Sequence, residues 1–250
     1  MKKIKLSIIN PKARKGADKA TYKNKLNALH KELFNLQHLF YAAREYSFLI
    51  IFQGIDTSGK DSTIRHVFSH VNPLGVHATS FKAPCDMELE HDYMWRIFQK
   101  LPEKGMIQIF NRSHYEDILV PTIQKKLPRQ LIEKRYYFIN AFEDHLLNNK
   151  TLVLKFFLHI SENEQKKRIQ QRREDPLKKW KYSMEDVKSS KKWNEYTAVY
   201  EKILNRCSSQ IPWIIVPADN KWYRNYVVAS EIVKQLKKLN LKYPGGKKQK

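Results

Sequence analysis

Cysteine is scarce in this sequence of 250 residues, which contains only Cys85 and Cys207. The two do not form a C-x-x-C pair, so the sequence has neither a zinc-binding nor a redox spacing. We expect both thiols to be reduced in a cytoplasmic protein. The seven glycines and ten prolines are too few for a collagen-like or glycine-rich low-complexity chain.

Long hydrophobic runs are also missing. No stretch approaches the roughly 18 apolar residues of a membrane-spanning helix. The apolar run near the N-terminus is interrupted and too short for a signal peptide. We therefore expect no membrane partner, and we interpret residues 1–20 as a basic N-terminal arm and residues 244–250 as a disordered basic tail.

Acidic residues are outnumbered. The 47 lysines and arginines exceed the 25 aspartates and glutamates, which gives a net charge of +22. Such a surplus attracts polyanions. Nucleic acid, an anionic membrane and polyphosphate all fit the charge, and so does a basic surface without any such partner.

Strand-length apolar runs alternate with helical spacing along the chain. Apolar runs predict strands at 48–52, 152–158 and 213–216, and we also predict strands at 76–81 and 106–110. The spacing predicts helices at 21–46, 60–70, 86–100, 128–149, 162–173, 185–206 and 224–239. This alternation indicates an α/β fold with a parallel five-stranded sheet and helices on both faces. No linker divides residues 21–243, which we interpret as a single domain.

A candidate phosphate-binding loop follows the first strand. Residues Gly54–Lys60 fit the pattern G-x-x-x-x-G-K between a strand and a helix, the context that makes this motif credible. Backbone N–H groups of such a P-loop surround an anion, and Lys60 adds a positive charge. Contacts to phosphate are expected from Gly54, Thr57, Ser58, Gly59, Asp61 and Ser62. An ordinary turn that matches by chance is the alternative.

The loop departs from the usual pattern at two positions. Asp61 replaces the Ser or Thr that normally reaches Mg²⁺, with Ser62 one place later. Asp56 lies inside the loop, where a carboxylate would repel phosphate unless a cation lies between them. Because Mg²⁺ prefers a few carboxylates together with phosphate oxygens, we predict that Asp56 is a metal ligand.

Polar residues follow the third predicted strand. Asn111 occupies the place where P-loop enzymes usually have a second acidic metal residue. Arg112 is predicted to reach the transferring phosphate, and Glu116 and Asp117 lie just beyond. A solvated polar run that caps a helix is the alternative.

A strongly basic segment follows the fourth predicted strand, with eight lysines or arginines between positions 166 and 181. Related P-loop kinases have a mobile lid at this point, and we predict a lid at about 162–192. Its arginines can neutralise charge on the moving phosphoryl group, as an arginine finger does. The alternative is a solvated basic helix face.

Together these residues resemble the second family of polyphosphate kinases, the polyphosphate:nucleotide phosphotransferases. The resemblance rests on six blocks within roughly residues 45–240, namely Gly54–Asp61, Ser80–Pro84, His91–Arg96, Phe110–Glu116, Trp180–Lys181 and Pro217–Arg224. The P-loop alone is shared with many proteins. The combination of the P-loop with an internal Asp, the Phe-Asn-Arg-Ser block and the Lys-Trp block is shared with far fewer proteins.

The resemblance implies a thymidylate-kinase-like P-loop fold with a helical lid, Mg²⁺ as cofactor, a basic groove for inorganic polyphosphate, and purine nucleotides as co-substrates. It makes Asp56 and Glu116 the metal residues and Lys60 a catalytic phosphate contact. It also implies phosphate or substrate contacts from Lys82, Arg112, Arg168, Arg172 and Lys181. A homo-oligomer, dimer or tetramer, without a nucleic-acid partner is expected.

At Asn111 the chain resembles the subgroup of that family that is associated with accepting nucleoside monophosphates as well as diphosphates. The expected reaction is reversible, Mg²⁺-dependent and in-line, and it converts AMP and ADP to ADP and ATP. Two other functions stay open: an ATP-dependent nucleoside or nucleotide kinase of the same fold, and a non-catalytic basic P-loop protein that binds nucleic acid. ATP alone does not require such an excess of basic charge, and the chain has no recognition-helix motif.

Overall fold

The computed structural model describes residues 3–245, which form a five-stranded parallel sheet with helices packed against it. The strands are β1 (Ser47–Gln53), β2 (Val76–Ser80), β3 (Ile107–Asn111), β4 (Thr151–His159) and β5 (Trp213–Pro217). Their order across the sheet is β2-β3-β1-β4-β5, and every neighbouring pair is parallel. The predicted α/β class and parallel sheet are confirmed.

Helices cover both faces of the sheet. They are α1 (Lys19–Ala43), α2 (Lys60–Val67), α3 (Asp86–Leu89), α4 (Trp95–Phe98), α5 (Glu116–Ile123), α6 (Arg129–Asn148), α7 (Glu162–Glu174), α8 (Met184–Lys191), α9 (Trp193–Arg206) and α10 (Lys221–Lys238). Helices α1, α2 and α10 contribute to one hydrophobic core, and α5, α6 and α9 to another.

The central strand β1 is buried along its whole length, and its alternate side chains enter the two cores. Phe48 and Ile50 enter the core of α1 and α10, whereas Leu49 and Ile51 enter the opposite one. Burial on both faces is the reason for its continuous apolar sequence. In register, Phe52 of β1 pairs with residue 111 of β3, so the loops after both strands leave the same edge of the sheet.

Three helical segments differ from the sequence prediction. The helix predicted at 86–100 is two short helices, α3 and α4, and the Asp92 side chain accepts a hydrogen bond from the Met94 N–H between them. The helix predicted at 185–206 is interrupted at Lys192, between α8 and α9. Helix α5 was not predicted, because its eight residues include Pro121 and are too few to show clear periodicity.

The predicted N-terminal arm packs against the rest of the protein. Leu6 is buried in the core, and its backbone N–H donates to the Glu201 carboxylate of α9. The carbonyl of Pro11 accepts a hydrogen bond from the Asp219 N–H, just after β5. Residues 246–250 of the predicted tail lie outside the described residues. Within residues 3–245, no helix is both long and apolar enough to cross a membrane.

A buried ion pair joins β4 to α6 behind the loop that follows β3. Lys155 is fully buried, and its Nζ lies 2.5 Å from Glu143 Oε2 and 3.0 Å from the Tyr115 hydroxyl. The Tyr115 hydroxyl donates to the other Glu143 oxygen at 2.6 Å. Although burial opposes its charge, Lys155 lowers the pKa of Glu143. The network therefore anchors Tyr115, which lies between Asn111 and α5.

We expect Lys155→Met to lower the free energy of unfolding by about 3–5 kcal/mol, because it leaves a buried carboxylate without its counter-charge. Glu143→Gln should also destabilise the protein. The double variant should lose clearly less than the sum of the two single losses, because neither charge is then left alone. Urea unfolding of the four proteins measures this coupling, and strictly additive losses would contradict it.

Candidate active site

A polar cleft of about 250 Å³ lies at the carboxyl ends of β1 and β3. Most of the predicted site residues line it, namely Asp56, Thr57, Gly59, Lys60, Asp61, Ser62, Lys82, Asn111, Arg112, Arg172 and Lys181. Three further residues line the cleft, namely Ser80, Phe81 and Asp186, and none of them was predicted to be a site residue. In open parallel sheets, ligands bind at this edge.

The P-loop (residues 54–59) turns sharply between β1 and α2. Gly54 has a φ of 152°, and a Cβ there would lie 2.8 Å from the Leu158 carbonyl of β4. Thr57 has a φ of 67°, which is uncommon for a residue other than glycine. Its Oγ1 is buried and has no hydrogen-bond partner within residues 3–245. Because Thr57 lines the cleft, this hydroxyl is available to a ligand there.

Lys60 begins α2 and folds back over the loop. Its Nζ donates to the Gly54 carbonyl at 2.7 Å, and the side chain is only 7% exposed. Burial and the nearby Arg112 lower its pKa, while Asp56 and Glu116 act in the opposite direction. The ammonium group is thus held at the loop in a position from which its remaining donors can reach an anion.

An ion pair joins the P-loop to the end of β3. Arg112 Nη2 lies 2.7 Å from Asp56 Oδ1. Arg112 has a φ of 64°, a conformation that is strained for a side chain of this size. Burial opposes the charge of each partner, but Lys60 and Arg112 lower the pKa of Asp56. Asp56 and Glu116 in turn raise the pKa of Arg112.

Glu116 lies at the start of α5, behind the ion pair. Its pKa is raised by burial, and the attraction of Arg112 and Lys60 only partly offsets this effect. The like charge of Asp56 raises it further. Two carboxylates and two cations are therefore close enough to influence one another, although Glu116 is not part of the cleft lining.

Asn111 contacts α2 directly. Its Nδ2 donates to Asp61 Oδ1 at 2.6 Å, and Lys181 Nζ lies 4.0 Å from the other Asp61 oxygen. These contacts lower the pKa of Asp61 in spite of its partial burial. Asp61 and Asn111, which stand where P-loop enzymes usually have a hydroxyl and a carboxylate for Mg²⁺, therefore contact each other.

The predicted lid segment contributes both a cation and an unexpected anion. Arg172 of α7 donates to Asp186 Oδ2 of α8 at 2.6 Å, and Ser189 Oγ lies 3.2 Å from Asp56 Oδ2. Burial and Asp56 raise the pKa of Asp186. The sequence signal for Asp186 was only its place within the predicted lid at 162–192, and its pairing with Arg172 depends on how α7 and α8 pack.

Arg168 differs from its predicted role. The side chain is 6% exposed, and its Nη1 donates to the Thr57 and Ser58 carbonyls at 3.0 and 2.9 Å. Its Nη2 donates to the carbonyls of Ala218 and Asp219. Because main-chain acceptors use these donors, we assign Arg168 to the support of the P-loop rather than to phosphate contact. Gly54 and Ser58 likewise lie outside the cleft lining.

Carboxylates near the cleft are those of Asp56, Asp61, Glu116 and Asp186. Within residues 3–245, no three His, Cys, Asp or Glu side chains lie together in a geometry that could hold a metal by themselves. Mg²⁺ is commonly bound by only one or two carboxylates together with phosphate oxygens and water. The donor set therefore fits a metal that arrives with a phosphate ligand.

Comparison with known proteins places the chain in one family. Residues 16–244 match the family model described as polyphosphate kinase 2 (PPK2). The AMP/ADP-polyphosphate phosphotransferase of Meiothermus ruber is 44% identical over 220 residues, which cover 88% of this chain and 82% of that protein. The ADP-polyphosphate phosphotransferase of Rhodopseudomonas palustris is 39% identical over 239 residues, or 90% of this chain and 83% of that protein.

A solved structure agrees. The crystal structure of polyphosphate kinase 2 from Arthrobacter aurescens TC1 superimposes with a TM-score of 0.96 at 35% identity, and the match covers 100% of this chain and 91% of that one. Fold, family model and sequence relatives thus agree with the resemblance inferred from the six sequence blocks. The chain belongs to the polyphosphate kinase 2 family.

Proposed function

We propose that this protein reversibly transfers phosphoryl groups between inorganic polyphosphate and nucleoside mono- and diphosphates, and so interconverts AMP, ADP and ATP. The observation that carries the proposal is the clustering of Lys60, Arg112, Arg172 and Lys181 around a P-loop that also contains Asp56. The printed names of the Meiothermus and Rhodopseudomonas relatives support polyphosphate with AMP or ADP as the substrate pair.

The residues favour direct in-line transfer. The acceptor is itself a phosphate and is ionised at neutral pH, so the reaction needs no strong general base. Lys60 and Arg112 can hold the transferring group from the loop and from the end of β3, and Arg172 can approach from the predicted lid. Catalysis then rests on positioning and on neutralisation of charge.

Mg²⁺ is the metal of this proposal, with Asp56 as its principal protein ligand and Glu116 beside it. When bound, it would neutralise charge on the phosphoryl oxygens. Support comes from the carboxylates of Asp56, Asp61 and Asp186 at the cleft, and from the Thr57 hydroxyl, which has no hydrogen-bond partner within residues 3–245. The single domain, the lid at 162–192, the cytoplasmic location, the homo-oligomer and the absence of a nucleic-acid partner stay predictions.

A direct assay tests the function. Purified protein with Mg²⁺, inorganic polyphosphate and either ADP or AMP, in the absence of ATP, should form ATP or ADP. An ATP-dependent kinase would give no product under these conditions, and a nucleic-acid-binding protein would give none with any phosphate donor.

Asp56→Asn and Lys60→Met should each lower kcat by at least about a hundredfold, because each removes a charge that acts on the transferring group. Near-normal turnover in either variant would remove the P-loop from the mechanism.

Salt dependence tests the polyphosphate groove. The KM for polyphosphate should rise steeply between low and moderate salt, because many ionic contacts are screened and counterions are released less favourably. The KM for the shorter nucleotide should rise less. Both are measured at one fixed Mg²⁺ concentration with chloride as the only varied anion. Equal rises for the two substrates would contradict a dedicated polyanion groove.

Acceptor choice tests the role of Asn111. Asn111→Asp places a carboxylate against Asp61, and the added charge should change the ratio of kcat/KM for AMP and ADP by about tenfold. The double variant Asn111→Asp with Asp61→Asn restores one charge and one amide at this contact, so its ratio should return toward that of the wild type. If the wild type does not use AMP, or if all three proteins give the same ratio, Asn111 does not control acceptor choice.

A further inference from the structure

The last sequence block of the family resemblance, Pro217–Arg224, ends in a deeply buried arginine. Arg224 of α10 is 1% exposed, and its guanidinium lies directly behind the P-loop. Its Nη1 donates to the Ser58 carbonyl at 3.3 Å, and its Nη2 donates to Ser62 Oγ at 2.9 Å. The side chain therefore bridges the loop and the first turn of α2, on the side away from the cleft.

Arg224 also explains one of the P-loop glycines. Gly59 has a φ of 102°, and a Cβ there would lie only 2.0 Å from Arg224 Nη1. No side chain can occupy that space while the guanidinium is present. Since Gly59 itself lines the cleft, a single residue separates the buried cation from the space that a phosphate would occupy.

Among the described residues, no carboxylate forms an ion pair with Arg224. Within residues 3–245 its hydrogen bonds go to neutral acceptors, which are the Ser58 carbonyl, Ser62 Oγ and Asn225 Oδ1. The adjacent Arg168 is paired with Glu164 at 2.8 Å. Burial and the repulsion of Arg168 lower the pKa of Arg224 to about 9. Buried charges are normally paired, so this arrangement is costly for the protein without a ligand.

The position is also unfavourable with respect to α2. The N-terminus of a helix carries a partial positive charge, which favours anions and disfavours cations. Ser62 lies in the first turn of α2, and its hydroxyl contacts the Arg224 guanidinium. An anion bound on the other side of the loop would offset this unfavourable interaction.

We propose that Arg224 is a positioning residue for phosphate binding, whose buried charge acts through the P-loop on the ligand and whose guanidinium holds Gly59 in place. The proposal rests on the proposed function for the identity of the ligand. It separates two roles: Lys60, Arg112 and Arg172 line the cleft, whereas Arg224 acts from behind the loop.

The proposal predicts opposite effects on stability and on binding. Arg224→Met removes an unbalanced buried charge but keeps most of the apolar length of the side chain. Without ligand, it should unfold at the same or a higher temperature than the wild type. Its affinity for inorganic tripolyphosphate should fall by about tenfold or more, because a charge this close to the phosphate is poorly screened by solvent. Arg224→Lys keeps the charge and should recover most of that affinity.

Calorimetric titration of the full-length protein with tripolyphosphate, combined with thermal unfolding without ligand, measures both effects. Arg206→Gln is the matched control, since it removes the same unit of charge from an arginine bound to Glu133. It should leave the affinity within about twofold of the wild-type value, because Arg206 is partly exposed and lies outside the cleft lining, so that its charge is screened by solvent and salt.

Three results would overturn the inference. They are wild-type affinity in Arg224→Met, equal losses in Arg224→Lys and Arg224→Met, and a large loss of unliganded stability or failure to fold in Arg224→Met. The last result would make Arg224 a residue of the fold alone. Failure of the proposed function is distinguishable, because the wild-type protein itself would then show no saturable binding of tripolyphosphate.

Discussion

The P-loop can present N–H groups to an anion only if its carbonyl groups point elsewhere and are satisfied there. Much of the surrounding structure meets this requirement. Arg168 takes the carbonyls of Thr57 and Ser58, Arg224 also reaches Ser58, and Lys60 takes that of Gly54. Arg168 of α7 and Lys60 of α2 thus satisfy buried carbonyls that would be costly to leave unpaired, and Arg224 of α10 is a second donor to one of them.

The lysine and arginine side chains that bind the P-loop carbonyls concentrate positive charge at one edge of the sheet. The carboxylates near the cleft partly compensate this charge. Asp56 pairs with Arg112 and Asp186 pairs with Arg172, so each acid holds a cation that could otherwise contact phosphate. Burial raises the pKa of Asp186, whereas Arg112 and Lys60 keep that of Asp56 low. Binding of a phosphate would therefore exchange these internal ion pairs for contacts to the ligand, and the cost of desolvation is already met in the folded protein.

The sequence was sufficient for the parts of the fold and the site that depend on local pattern. Apolar runs predicted β1, β4 and β5, and the glycine spacing before Lys60 located the loop between β1 and α2. Helix α5 escaped prediction because it is short and contains Pro121. The support role of Arg168 could not be predicted, because a basic helix looks the same whether its arginines face a ligand or a main-chain carbonyl. That distinction depends on how α7 packs against the loop.

The net charge also could not show which basic residues act on a ligand. The surplus of +22 indicated a polyanionic ligand, but it gave no location, since most of the 47 basic residues lie outside the cleft. Position decides what each charge can do. An exposed lysine contributes to a field that salt screens within about 10 Å, whereas a buried arginine acts through a low-dielectric medium on its immediate surroundings. Arg224 is 1% exposed and separated from the cleft by Gly59 alone, so its contribution can exceed that of many surface lysines although it never touches the ligand.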